Sequence, residues 1–93
     1  MNNAAQVTAT GIKNEMKKFI IDNFLFGDEN ESFNDDDSFL EKGIIDSTGV
    51  LELIGVIEEK YNIKMEDDEL IPENLDSLNN ITSYILKKTA TKN

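Results

Sequence analysis

Apolar residues recur at helical spacing in three parts of the chain. The first set lies at i, i+4, i+7, i+8 and i+12 and predicts an amphipathic helix over residues 11–26. Its members are Ile12, Met16, Phe19, Ile20 and Phe24. Gly27 follows as a C-terminal cap. Residues 1–10 are small and polar, and we expect them to form a flexible lead-in.

Two further helices are predicted towards the C-terminus. One covers residues 47–62, with core positions Val50, Leu53, Ile54, Ile57 and Tyr61. The other covers residues 77–88, with core positions Leu78, Ile81, either Tyr84 or Ile85, and Leu86. Between them, Pro72 limits the preceding segment to a short helix over about residues 67–71, because the residue before a proline avoids the α region. Residues 89–93 are predicted to be a flexible tail.

Residues 27–45 have no sustained period and predict a long connection. Loops longer than about 12–15 residues are uncommon in compact domains and are often functional. We expect a helical turn near Ser38–Glu41 and apolar anchors to the core at Phe33, Phe39, Leu40, Ile44 and Ile45. No two apolar runs are joined by a hairpin turn. The pattern therefore predicts an all-α fold of helix, long loop, helix, short helix and helix, in one domain over residues 11–88.

The composition excludes several classes of function. The chain contains no cysteine and no histidine, so it has no disulfide, no thiolate metal site and no Ser-His triad. We therefore expect no enzymatic activity. The net charge is −10, with nineteen acids against nine basic residues, all of them lysine. Without arginine, the preferred residue for phosphate contacts, nucleic acid is not an expected partner.

The acidic surface instead predicts protein partners with basic patches. Seventeen of the nineteen acids lie within residues 28–76, so the middle of the chain carries most of the negative charge. Such a surface steers encounter with basic partners. No apolar run approaches the roughly 18 residues of a membrane span, and residues 1–10 do not resemble a secretion signal. The expected location is the cytoplasm.

The acidic runs do not predict a metal site or a catalytic pair. A calcium loop that began at Asp28 would place Phe33 at its sixth position and Phe39 at its twelfth, where glycine and glutamate are needed. A loop that began at Asp35 fails in the same way, at Leu40. Acid pairs such as Glu58–Glu59 lie in polar runs, and we interpret them as solvated charge or as a docking surface.

Two Asp-Ser pairs precede predicted helices, and each serine is a candidate N-cap. Ser77, after Asp76, is predicted to be only a cap or a surface residue. At the other pair Asp46 already provides the cap, so Ser47 would occupy the first helical position with its hydroxyl outward. A helix N-terminus favours an anion, and a phosphate ester on Ser47 would be stabilised there.

The segment "GIIDSTGVLELIGVIEEKYNIKMEDDEL" resembles the core of the acyl carrier proteins, and the likeness extends over about Phe39–Lys88. The matched positions include Gly43, Asp46 and Ser47. The resemblance implies an acyl-carrier-like four-helix bundle with a long loop between helices I and II and a short helix III. It also implies that Ser47 carries 4′-phosphopantetheine. The cleft between helix II and the short third helix would shelter an apolar cargo.

The resemblance further implies partners and roles. A phosphopantetheinyl transferase would modify Ser47 from coenzyme A, and Asp46 would cap the helix and help to place the serine and the transferase's metal. An acyl- or aminoacyl-loading ligase or transferase and downstream biosynthetic enzymes would then dock, through basic patches, on a monomeric carrier. The implied partner-binding residues are Thr48, Leu51, Glu52, Gly55, Glu58 and Glu59.

Two residues depart from the fatty-acid carriers that the chain resembles. Thr48 stands where those carriers have leucine, and Gly55 stands where they often have a larger apolar residue. We therefore expect a specialised carrier of fatty acid, polyketide or aminoacyl-type biosynthesis rather than the housekeeping one. A D-alanyl or peptidyl carrier of the same fold is one alternative. An acidic helical interaction module that is never modified is another, of a different class.

Overall fold

The computed structural model describes residues 8–25 and 33–90. Within these ranges it contains four α-helices, α1 (Ala9–Phe24), α2 (Ser47–Tyr61), α3 (Pro72–Leu75) and α4 (Leu78–Ala90), and no β-strand. A single 3₁₀ turn, Asp67–Glu69, precedes α3. The predicted all-α architecture, with a long loop before α2 and a short third helix, is confirmed.

The helix ends differ from the prediction by one or two residues. The helix α1 begins at Ala9 because the Thr8 side chain accepts a hydrogen bond of 3.0 Å from the Gly11 backbone N–H. At the other end of the chain, α4 continues to Ala90. The predicted cap Gly27 lies outside the described residues, as do the remainder of the lead-in and the last three residues.

The third helical region differs from the prediction of one short helix over about residues 67–71, because a further helix starts at Pro72. Proline is tolerated at the first helical position, where its missing N–H has no intrahelical acceptor to lose. Ile71, the residue before it, is extended with ψ of 155°, as the proline requires. The third helical region is therefore split into the 3₁₀ turn and α3.

The core is formed around α4, which packs against each of the other three helices. Buried side chains come from every helix and from the long loop: Ile12, Met16, Ile20, Phe33, Phe39, Ile45, Leu53, Ile57, Met65, Leu75, Leu78, Ile81, Tyr84 and Ile85. The remaining predicted helical core positions are half-buried at its edge. Leu40, predicted as a core anchor, is 49% exposed, so that prediction was wrong.

Helices α1 and α2 run antiparallel. Phe24, at the end of α1, lies against Gly49 in the first turn of α2. At the last residue of α2, the Tyr61 hydroxyl donates a hydrogen bond of 2.6 Å to Glu15, which lies in the first half of α1. The start of α2 is therefore fixed against the end of α1.

Gly49 allows this close approach. A Cβ atom there would lie 2.7 Å from the Phe24 ring and 2.8 Å from the Ile45 side chain, closer than van der Waals contact permits. Gly55, two turns further along the same helix, is exposed, and a Cβ atom there would meet nothing within 4 Å. Gly49 is thus required by packing, whereas Gly55 is not.

Alanine at these two positions should have opposite effects on stability. Gly55→Ala should raise the free energy of unfolding by about 1 kcal/mol through helix propensity. Gly49→Ala should lower it by about 1–3 kcal/mol through overpacking against Phe24 and Ile45. Urea unfolding followed by circular dichroism measures both. A stabilised Gly49→Ala variant would contradict the packing described at the start of α2.

Candidate functional site

Ser47 is the first residue of α2, and its side chain is exposed. The N-cap is Asp46, whose carboxylate Oδ1 accepts a hydrogen bond of 2.7 Å from the Gly49 backbone N–H. Both positions agree with the sequence prediction. Because Asp46 provides the cap, the Ser47 hydroxyl is left accessible at the positive end of the helix dipole.

The second serine has a structural role. Ser77 is only 6% exposed, and its hydroxyl accepts a hydrogen bond of 3.0 Å from the Asn80 backbone N–H. It therefore caps α4, as predicted. The two Asp-Ser pairs differ in accessibility, and only the Ser47 hydroxyl is open to a reagent or an enzyme.

An apolar groove begins at Ser47. This feature, which we call the Ser47 groove, has a volume of about 210 Å³ and is open to solvent on one side. Its lining consists of Leu40, Ser47, Val50, Leu70, Ile71, Pro72, Leu75 and Asp76. It lies between α2, the long loop and the start of α3, which is where an apolar cleft was expected.

Three of the large apolar residues that are exposed to solvent line this groove. Leu40 is 49% exposed, Leu70 38% and Ile71 40%. All three flank the same groove, so the apolar surface is continuous instead of scattered. A contiguous apolar surface beside an accessible nucleophile is suited to binding an apolar group held on that nucleophile.

The loop wall of the groove is held by Asp76, through what we call the Asp76 clasp. One carboxylate oxygen accepts a hydrogen bond from the Ser38 hydroxyl, and the other accepts one of 3.0 Å from the Leu40 backbone N–H. The Asp76 carbonyl accepts a third, also of 3.0 Å, from the Phe39 N–H. Three consecutive loop residues are thus joined to the junction of α3 and α4.

The opposite wall, Leu70–Ile71, is held by Glu69. Its carboxylate accepts hydrogen bonds of 2.9 Å from the Glu66 backbone N–H, 2.9 Å from the Tyr84 hydroxyl and 3.0 Å from the Lys88 ammonium. The Glu66 N–H and then Lys88 lower the pKa of Glu69 to about 2. The 3₁₀ turn is therefore fixed to α4 immediately before the groove.

The predicted docking face on α2 is mostly as expected. Thr48, Glu52, Gly55 and Glu59 are exposed, and Leu51 is the most exposed large apolar residue of the described chain, at 68%. Glu58 differs, because it is half-buried and its carboxylate accepts a hydrogen bond of 2.9 Å from the Met65 backbone N–H. Glu58 therefore anchors the segment after α2 in addition to carrying charge.

The described residues give no sign of two other kinds of site. Within residues 8–25 and 33–90, no three acidic side chains are placed to share a metal ion. None of the helices in those ranges is both long and apolar enough to cross a membrane.

A comparison with known protein families matches residues 25–85 to the family described as the phosphopantetheine attachment site. The chain belongs to this family. Its members are carrier proteins of the acyl carrier type, which bear covalently attached 4′-phosphopantetheine. A search of curated proteins gave no match. The structure fits the group, since it offers an exposed serine hydroxyl at a helix N-terminus beside an apolar groove.

The groove walls were not predicted in detail. The sequence pattern treated Leu40 as a core residue and Asp76 as a polar residue before a cap. The Asp76 carboxylate accepts hydrogen bonds from Leu40 and Ser38, which lie 36 and 38 positions earlier in the chain. No periodicity records a contact of that range.

Stability at acidic pH should depend on Glu69. Because its pKa is lowered in the folded state, its contribution is fully present above its ordinary pKa of 4.5 and is lost as the pH falls towards about 2. Glu69→Gln should therefore be less stable than the native chain at neutral pH, and the difference should shrink between pH 4.5 and 2. Urea unfolding across this range measures it. A difference independent of pH would show that the Glu69 charge is not responsible.

Proposed function

We propose that this chain is a discrete carrier protein in which Ser47 bears the 4′-phosphopantetheine group. The thiol at the end of that group would hold an acyl or aminoacyl cargo as a thioester. The observation that carries the proposal is the exposed Ser47 hydroxyl at the edge of an apolar groove, in contrast to the buried, capping Ser77.

The local structure at Ser47 suits esterification. Attachment forms a bond between Ser47 Oγ and a phosphorus of coenzyme A, whose nucleotide half leaves while the serine proton passes to the transferase. Asp46 caps α2 and so keeps Ser47 at its first position. We assign to Asp46 the further role of helping to position the transferase's metal. The helix N-terminus stabilises the phosphodiester charge that results.

The exposed face of α2 supports docking of the partner enzymes. Glu52 and Glu59 carry free negative charge, and Leu51 offers an apolar contact between them and Ser47. Interfaces of this composition combine electrostatic steering with a buried apolar anchor. A phosphopantetheinyl transferase and a loading enzyme with basic patches are the partners that fit this face.

The same face supports a specialised partner set. Neither Thr48 nor Gly55 presents a large apolar side chain beside Leu51, and Gly55 is exposed with open space above it. A partner that inserts between larger apolar side chains at these positions would lose those contacts. We therefore assign the chain to a dedicated acyl or aminoacyl pathway rather than to housekeeping fatty-acid synthesis. In this role the carrier presents cargo and leaves catalysis to its partners.

Intact-mass measurement tests the attachment site. After incubation with coenzyme A and a phosphopantetheinyl transferase, the native chain should gain the mass of one phosphopantetheine. Ser47→Ala should gain nothing, because it lacks the accepting hydroxyl. Ser77→Ala, the matched control, should still be modified. An unmodified native chain with several transferases would favour the interaction-module alternative.

Charge reversal tests the docking face. Glu52→Lys and Glu59→Lys should slow modification by the transferase about three- to ten-fold at low ionic strength, with a smaller effect at high salt. Glu73→Lys, which reverses an exposed acid on α3, is the control. Equal slowing by all three substitutions would show that the net charge of the chain, and not a docking face on α2, determines the rate of modification.

A further inference from the structure

The two walls of the Ser47 groove are built differently. The Leu70–Ile71 wall follows the 3₁₀ turn, which Glu69 fixes to α4 through Tyr84 and Lys88. The Leu40 wall belongs to the long loop. This loop joins α1 to α2. The Leu40 side chain is 49% exposed, so packing of that side chain does little to fix its position.

The position of Leu40 therefore depends on the Asp76 clasp. The Leu40 backbone N–H donates to one oxygen of the Asp76 carboxylate, and the preceding Phe39 N–H donates to the Asp76 carbonyl. The Ser38 hydroxyl donates to the other carboxylate oxygen and itself accepts a hydrogen bond of 3.1 Å from the Glu41 N–H. The clasp thus fixes the backbone on both sides of the Leu40 side chain.

The groove is also chemically selective. Asp76 supplies the single charge of its lining, and both carboxylate oxygens already accept hydrogen bonds from the loop. The remaining lining is apolar apart from Ser47. Burying a further charged or polar group without a partner would be unfavourable, whereas each buried methylene is favourable.

We infer that Asp76 is a specificity-determining residue that, by holding the Leu40 wall in place, sets the length of apolar acyl cargo that the Ser47 groove shelters. This inference rests on the proposed function for the identity of the cargo, although the groove and the clasp belong to the unmodified chain. An apolar cavity of about 150 Å³ holds a benzene molecule. By that scale the groove of about 210 Å³ accommodates an acyl chain of about eight carbons.

The first experiment uses the unmodified chain and does not depend on Ser47. Binding of the neutral apolar dye N-phenyl-1-naphthylamine is followed by fluorescence. Leu40→Ala and Asp76→Ala should each weaken binding about four- to fifteen-fold, the loss expected for removing a contact of one or two methylenes. Asp76→Asn, which retains an acceptor for the Leu40 N–H, should restore most of the affinity.

The second experiment uses the loaded carrier. Saturated acyl groups of increasing length are placed on the holo-protein, and thioester cleavage by hydroxylamine is compared with that of the corresponding acyl-coenzyme A. In the native chain, protection should rise with length and level off at about eight carbons. Asp76→Ala should lower protection about three- to ten-fold and abolish the levelling, because the loop wall no longer limits the groove.

Matched controls separate this role from a general loss of stability. Glu73→Gln removes a nearby exposed acid outside the clasp and should leave dye binding and the length profile unchanged. Leu40→Ala changes an exposed side chain and keeps the clasp, so it tests the wall even where Asp76→Ala unfolds.

A native length profile in Asp76→Ala would overturn the inference, as would a groove that protects aminoacyl better than acyl groups. Failure of Ser47 modification alone would leave the dye result standing.

Discussion

Asp76 joins two parts of the chain that the fold must bring together, the long loop before α2 and the junction of α3 and α4. Its carboxylate and carbonyl oxygens accept hydrogen bonds from Ser38, Phe39 and Leu40. The loop forms a turn over residues 39–43, and Phe39 within it and Ile45 after it are buried, so the clasp and the core hold the same segment. The loop ends at Asp46, and its path therefore determines where α2 begins and where Ser47 is presented.

The start of α2 is fixed from several directions. Asp46 caps the helix, Gly49 admits the Phe24 ring of α1, and the loop turn packs Ile45 beneath it. The exposed serine therefore lies on backbone that is held by the cap, by α1 and by the loop. In the proposed carrier, a firmly held start of α2 with a covalent arm on Ser47 would let cargo reach different docked enzymes at high effective concentration.

Sequence periodicity predicted the three long helices because each buries a regular apolar stripe, as Ile12, Met16 and Ile20 do in α1. The residues before each helix also distinguished the accessible Ser47 from the capping Ser77, because Asp46 could cap α2 in place of Ser47. It failed where the determining contact is non-local. Leu40 was predicted to be buried, but the Asp76 clasp holds its backbone and leaves its side chain at the groove edge.

Two other differences have the same origin. Glu58 looks like solvated charge from its neighbours, yet it accepts the Met65 N–H of the segment that follows α2. The packing role of Gly49 was not predicted, because it depends on the Phe24 ring of α1, which the lack of a side chain at Gly49 admits. At Pro72 the difference is local, because the proline was used only as the limit of the preceding segment, and it is also a favourable first residue of a helix.

The proposed carrier role requires that a cargo attached to Ser47 occupies the adjoining apolar groove. The most direct measurement compares ¹H–¹⁵N correlation spectra of the unmodified chain, the holo-protein and the holo-protein loaded with a medium-length saturated acyl group. We expect modification to shift the amide signals of residues near Ser47, and acylation then to shift the amide signals of Leu40, Leu70 and Ile71. Acylation shifts centred on Ser77, or no change along the groove, would contradict it.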